Sequence, residues 1–296
     1  MKKALISIFL VTFIIISSSC TANHILKPKR VVLADTAQGE YGTGAEIDPT
    51  ISLVGSRQLL SPEQSESEPA KTVTIQGKEY TGKHYSVYLS PFYNGDCDEY
   101  KCNLENGALY FFVDRAYGEV VYYSFMYNDA EKGEMTYEAC RDISDSALKE
   151  ADDSGEYTHD RFNERNYTDS SGCYSFVYYR TMEGFAVYEM IKISVSSKNG
   201  QIVRYTLADN HMLDGIGHIS YDEASCKKAV EDYAADHADK LSANGKKCEY
   251  EIAAAYFARL KDGSCGVIYY VYYKQHAGAE APDRYNMAEK LFVELE

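Results

Sequence analysis

The sequence predicts an α+β protein: two repeated units, each a helix packed on an antiparallel β-sheet, behind a disordered N-terminal spacer. Three observations predict it. Short apolar and aromatic runs punctuated by turn glycines mark many strands from Thr72 onward. Two amphipathic stretches open on polar caps, at Thr136 and at Ser220. Short strings also recur: Met135-Thr-Tyr-Glu138 matches Ile219-Ser-Tyr-Asp222, and Phe176-Val-Tyr-Tyr-Arg180 matches Tyr270-Val-Tyr-Tyr-Lys274, with a loop inserted in the second copy.

The chain opens on Met1, Lys2 and Lys3, followed by an apolar run from Ala4 to Ile16 and then Ser17, Ser18, Ser19 and Cys20. A basic start, a short apolar core and small residues are the parts of a secretory signal. The run is shorter than the roughly 20 residues a spanning helix needs, so residues 1–19 read as a removable signal. Small residues directly before a cysteine resemble the lipobox of bacterial lipoproteins, although Ser17 stands where that motif favours Leu. The resemblance implies lipidation of Cys20 and a chain anchored on the extracytoplasmic face of the cell membrane. The alternative is plain secretion, with cleavage near Ala22.

Residues 20–70 read as a disordered tether. Pro28, Pro49, Pro62 and Pro69 lie there, and the acidic, polar stretch 61–69 offers little to bury against its ordering entropy. Residues 71–134 read as a β-hairpin region, with runs at 85–89, 109–114 and 120–125. Residues 135–210 form the first unit. Its helix carries Cys140, Ile143, Ala147 and Ala151 at helical spacing, and its strand Ile191–Val195 alternates with Lys192, Ser194 and Ser196, which predicts one wet face. Asn199-Gly200 is a strong hairpin signal because both residues accept positive φ. Residues 211–296 form the second unit. Ser220 and Glu223 make a capping box, Cys226, Ala229, Val230, Tyr233 and His237 make the apolar stripe, and strands follow near 248–260, 265–275 and 287–295.

Composition narrows the function. The formal charge is −15, and losing Lys2 and Lys3 with the signal makes it −17. That is unfavourable for nucleic acid, whose phosphates need a basic footprint. The 28 tyrosines and absent tryptophan suit half-buried sheets, or an aromatic surface that grips peptide or sugar. Of eight cysteines, seven remain besides Cys20. Cys97 and Cys102 are close enough in sequence for a local disulfide, which an exported chain permits.

No zincin, nucleophile-elbow, β-lactamase or P-loop motif occurs. Asp209, His211, Asp214 and His218 are the nearest approach to a metal set, but read as a polar loop; Asp96, Asp98 and Glu99 read as a solvated acidic turn. His237 reads as a satisfied core histidine, and Cys140 and Cys226 as small buried hydrophobes. No cofactor, metal or catalytic residue is therefore expected.

The helix opening Ile219-Ser-Tyr-Asp-Glu-Ala224, the string Tyr178-Tyr-Arg180 followed by Gly184, and Ile191-Lys-Ile-Ser-Val195 with Gly200-Gln-Ile-Val203 resemble the PepSY-type domain of Gram-positive peptidase propeptides and spore proteins. The resemblance covers roughly residues 71–296. It implies a non-catalytic module that binds a peptide or protein, such as a peptidase or wall hydrolase, and it supplies no active-site residue. An exposed strand edge would accept an extended segment, with Tyr178, Tyr179 and Arg180 and their partners Tyr272, Tyr273 and Lys274 as candidate contacts. The alternative is a sugar- or muropeptide-binding protein, which requires tyrosines aligned on one solvent face. A hydrolase is a remote third reading.

Overall fold

The computed structural model describes residues 25–38, 51–67, 69–129, 131–152, 155–160, 167–208, 211–242, 247–275 and 284–296. The expected signal segment and Cys20 lie outside them. The elements are β1 (Pro28–Gln38), β2 (Ser56–Leu59), α1 (Pro62–Ser67), β3 (Lys71–Ile75), β4 (Lys78–Leu89), β5 (Cys97–Leu104), β6 (Gly107–Asp114), β7 (Val120–Tyr127), α2 (Tyr137–Ala151), β8 (Tyr157–His159), β9 (Cys173–Met182), β10 (Phe185–Ser196), β11 (Ile202–Ala208), α3 (Glu223–Leu241), β12 (Cys248–Arg259), β13 (Cys265–Gln275) and β14 (Arg284–Leu295).

Local signals place many of these. Thr136 caps α2 by accepting from the Ala139 N–H at 3.2 Å, and Gly200 turns the β10–β11 hairpin at φ 73°. The second helix starts later than its capping box suggests. Asp222, not Ser220, is the N-cap, accepting from the Ser225 N–H at 3.0 Å. The cause is tertiary: the Leu26 N–H donates to the Ser220 carbonyl and the Asp222 N–H to the Leu26 carbonyl, which holds 220–222 extended. The buried stripe of α3 is Cys226, Val230, Ala234 and Ala238, a four-residue repeat whose small alanines let the helix lie close to the sheet.

The strands form one 14-stranded sheet in the order β1-β14-β13-β12-β10-β11-β7-β6-β5-β4-β2, with β3 on β4, and β8 and β9 beside β10. Among the described strands all pairings are antiparallel except one. At Val187↔Phe257, β10 touches β12 in parallel, and further along it runs between β9 and β11. Val187 and Phe257 are both essentially inaccessible, so this crossing is sealed by the core.

That architecture overturns the expectation of two repeated helix-on-sheet units behind a disordered spacer. Strands hold 52% of the described residues and helices 17%, in a single mixed sheet. The sequence repeat also fails at the level of register. Tyr178 is buried where its match Tyr272 is half-buried, and Tyr179 is half-buried where its match Tyr273 is buried. The matched strings therefore sit one residue out of phase, and a one-residue slip in a strand reverses every side chain. The spacer is largely structured too. β1 pairs with β14 along its length, burying Val32, Leu33 and Ala34, and β2 pairs with the end of β4. Three adjacent apolar residues and an unpaired β14 edge outweigh the flanking prolines.

The core has three parts. One lies under α3 against β1 and β12–β14, one under α2 against β9 and β10, and one beneath β5–β7, where the β3–β4 hairpin adds Val73 and Ile75. One row of this buried face runs in register from Tyr100 through Phe111, Tyr123, Tyr205 and Ile193 to Phe176. The wet face expected along β10 is only partly wet. Lys192 is exposed, but Ser194 is buried, bonded to the Ser175 hydroxyl at 2.8 Å.

Candidate functional site

The residues nominated from sequence lie mostly inside the sheet. The Tyr178 hydroxyl donates to Asp145 at 2.7 Å and accepts from the Ser144 hydroxyl at 2.9 Å, tying β9 to α2. Tyr179 packs edge-on against Tyr256 at 5.8 Å. Arg180 pairs with Glu156 at 2.7 Å and with buried Glu189 at 2.6 Å. Tyr273 is buried beside Glu289, while Tyr272 and Lys274 are half-buried on the same strand. β13 is hydrogen-bonded on both sides, by β12 and β14, so it offers no free edge. One member of each triplet, Tyr178 and Tyr273, is buried.

Cys97 and Cys102 are not joined by a disulfide. They stand on one uninterrupted strand at odd separation, so they point to opposite faces, about 16 Å apart along the strand. A disulfide needs Cα atoms within about 7 Å, and the expected local bridge is corrected accordingly. Asp96, Asp98 and Glu99 do not make a solvated turn: Asp98 and Glu99 are on β5, and Glu99 is buried. Asp96 pairs with Lys261 and Asp98 with Arg115. His211 stacks on Tyr117 at 3.6 Å and pairs with Asp214 at 3.1 Å, whereas His218 pairs with Glu183 at 2.7 Å. Asp209 lies outside the described residues. Among the described residues no three His, Cys, Asp or Glu side chains gather as a metal set. Cys140 and Cys226 are buried, and burial pushes the Cys226 thiol up to about 11.

The outer face of β4–β7 is where functional side chains converge. Alternation on β6 and β7 sends Leu109, Phe111, Val113, Tyr123 and Phe125 into the core. The opposite face would ordinarily be polar. Instead it carries Tyr110, Phe112 and Tyr122, joined by Tyr85 and Tyr88 of β4, all half-buried. Their rings touch in series: Tyr85 to Tyr110 at 5.6 Å, Tyr88 to Phe112 at 5.9 Å, and Phe112 to Tyr122 at 4.7 Å. Gly55, just before β2, makes room for this array, since a Cβ there would sit 2.2 Å from the Tyr88 hydroxyl.

A groove of about 240 Å³ opens among these rings, with Ser124 and Met126 also lining it. Its floor holds Glu99, which accepts from both the Arg57 Nε–H at 2.6 Å and a second Arg57 N–H, and from the Ser86 hydroxyl. The Arg57 guanidinium lies 5.3 Å from the Tyr85 ring centre, and the Lys101 ammonium lies 5.7 Å from Tyr85 and 5.5 Å from Tyr110. The site therefore combines apolar ring faces with charged donors and acceptors held in fixed geometry. The signal was present in the sequence: Leu109-Tyr-Phe-Phe-Val113 lacks the polar alternation a wet face needs. The sequence does not say which residues of the run face outward.

No protein-family model matches the chain, and no curated protein matches it. Among solved structures, the Bacillus megaterium YpeB C-terminal domain is similar at 13% identity and a TM-score of 0.35, covering 79% of this chain and 99% of that chain. At that score the similarity carries no argument about function.

Proposed function

We propose that this protein is a non-catalytic saccharide-binding protein of the cell exterior, held to the membrane by a lipid on Cys20. The observation that supports the binding reading is the aromatic array on one solvent-facing side of β4, β6 and β7, over the Arg57–Glu99 pair. A pyranose ring has an apolar C–H face and a rim of hydroxyls. The tyrosine and phenylalanine rings suit the face, and a bidentate arginine–carboxylate pair suits the rim. Glycoside hydrolysis ordinarily uses two carboxylates. Glu99 is the one carboxylate among the described residues lining the groove, and it is engaged by Arg57.

Leu26 is hydrogen-bonded into the fold. An anchor on Cys20 would thus stand six residues from it, a reach of at most about 21 Å. The protein would sit close to the membrane rather than on a long tether.

The test is co-sedimentation of the full mature chain with insoluble cell-wall glycan, and calorimetric titration with soluble oligosaccharides. Tyr110→Ala and Tyr122→Ala should each weaken binding about tenfold, with the circular dichroism spectrum unchanged. Undiminished binding by both variants would sink the assignment. Separately, Cys20→Ser should move the protein from the membrane fraction to the medium.

A further inference from the structure

The chain carries more acids than bases by 15, yet two cations, Lys101 and Arg204, flank the aromatic outer face of β5–β7. Lys101, Tyr110, Ser124 and Arg204 pair in register across β5, β6, β7 and β11, so they share that face. The row spans three strand spacings, about 14 Å. Lys101 hangs over two tyrosine rings and has no carboxylate partner among the described residues.

Arg204 is the more telling group. It is half-buried, and its guanidinium makes no hydrogen bond or close ion pair with any described residue, its one carboxylate neighbour being Asp169, whose carboxyl it helps hold below the usual range. Every other arginine with a described side chain is engaged by a carboxylate or a carbonyl oxygen, as Arg180 is by Glu189 and Arg259 by the Asp214 carbonyl. A partly desolvated guanidinium whose N–H donors meet no direct acceptor is unfavourable, and an incoming anion removes that cost.

Arg204 lines a second cavity, of about 470 Å³, at the ends of β7, β10 and β11. Met126 lines both this cavity and the aromatic groove, so the two adjoin. The acids nearby are already engaged. Glu131 pairs with Lys198 at 3.1 Å, Asp129 accepts from Asn106 at 2.6 Å, and Asp169 spends its Oδ1 on Ser171 and Cys173 and attracts Arg204 only at longer range.

We infer that the saccharide bound on the aromatic face is an acidic one, a chain of uronic-acid type whose ring stacks on Tyr110 and whose carboxylate seats on Arg204, with Lys101 flanking. This rests on the saccharide reading and deepens it. A planar carboxylate matches the two parallel N–H donors of a guanidinium.

The experiment titrates the full mature chain with an oligogalacturonate and with a neutral galacto-oligosaccharide of equal length. The acidic oligomer should bind at least tenfold more tightly at low salt. Arg204→Gln should collapse that ratio toward one. Lys228→Gln, which removes an equal charge from the exposed face of α3, should leave it intact. Raising salt should weaken the acidic oligomer selectively, a readout on the native protein that does not depend on a variant folding. Equal affinity for both oligomers would overturn the inference and leave the saccharide reading standing. Failure of both oligomers to bind would overturn both readings. A ratio retained in Arg204→Gln would also overturn it.

Discussion

Replacing Glu289 with Gln should stabilise the protein at alkaline pH and leave it unchanged at acidic pH. Glu289 stands on β14 with 1% of its surface exposed, facing α3. Neither carboxylate oxygen has a hydrogen bond of ordinary geometry, nor does the adjacent Tyr273 hydroxyl. The groups facing it are His237 of α3, whose Nε2 is 3.4 Å from Oε1, Tyr273 of β13, and Tyr233, stacked on His237 at 6.0 Å. Burial raises the Glu289 carboxyl above the usual carboxylate range, and Tyr273 and His237 offset this only in part. A carboxyl whose pKa is higher folded than unfolded holds its proton more tightly in the native state. Its contribution is therefore complete below the unfolded value of about 4.3 and is lost as pH rises through the folded value. Glutamine keeps the shape without the charge. Exchanging a poorly compensated buried charge for a neutral group is worth about 1–4 kcal/mol. At roughly 2 °C per kcal/mol for a chain of this size, the melting temperature should rise by about 2–8 °C at pH 8. Calorimetric melts of both proteins from pH 4 to pH 8 would measure the gap. A gap of equal size at both ends, or a variant less stable at pH 8, would refute the reasoning.

Three further outcomes follow from the packing. Tyr178→Phe should lower stability by about 1–3 kcal/mol, because Ser144 and Asp145 lose a buried partner; in urea unfolding the midpoint falls, while saccharide affinity holds. Gly107→Ala should be more damaging than an ordinary turn substitution. Gly107 sits at φ +135°, and a Cβ there would lie 2.0 Å from the Met126 carbonyl oxygen. The expected cost is about 1–3 kcal/mol, and an unchanged denaturation midpoint would contradict the turn geometry. Iodoacetamide under denaturing, non-reducing conditions should alkylate both Cys97 and Cys102, and mass spectrometry finding the pair unlabelled would mean the thiols had been oxidised together.

The sequence by itself determined the elements whose causes are local. Thr136 caps a helix because its hydroxyl meets the Ala139 N–H three residues on, and Asn199-Gly200 turns a hairpin because glycine takes positive φ. Strands near 248–260 and 265–275 are legible because their aromatic and β-branched runs need no distant partner to be extended. The tertiary structure decided what depends on pairing. Val32, Leu33 and Ala34 become a strand because β14 presents an edge to them, and Leu26 moves a helix cap by holding Tyr221 extended. Burial phase distinguishes Tyr178 from its sequence match Tyr272, since one residue of register reverses a face. The same physics governs the candidate site. The run Leu109–Val113 specifies an apolar strand, but only the β3–β4 hairpin folding over one side leaves Tyr110 and Phe112 on the other, facing solvent with Tyr85 and Tyr122. Extended conformation is encoded residue by residue, whereas the identity of the wet face is a property of the assembled layers.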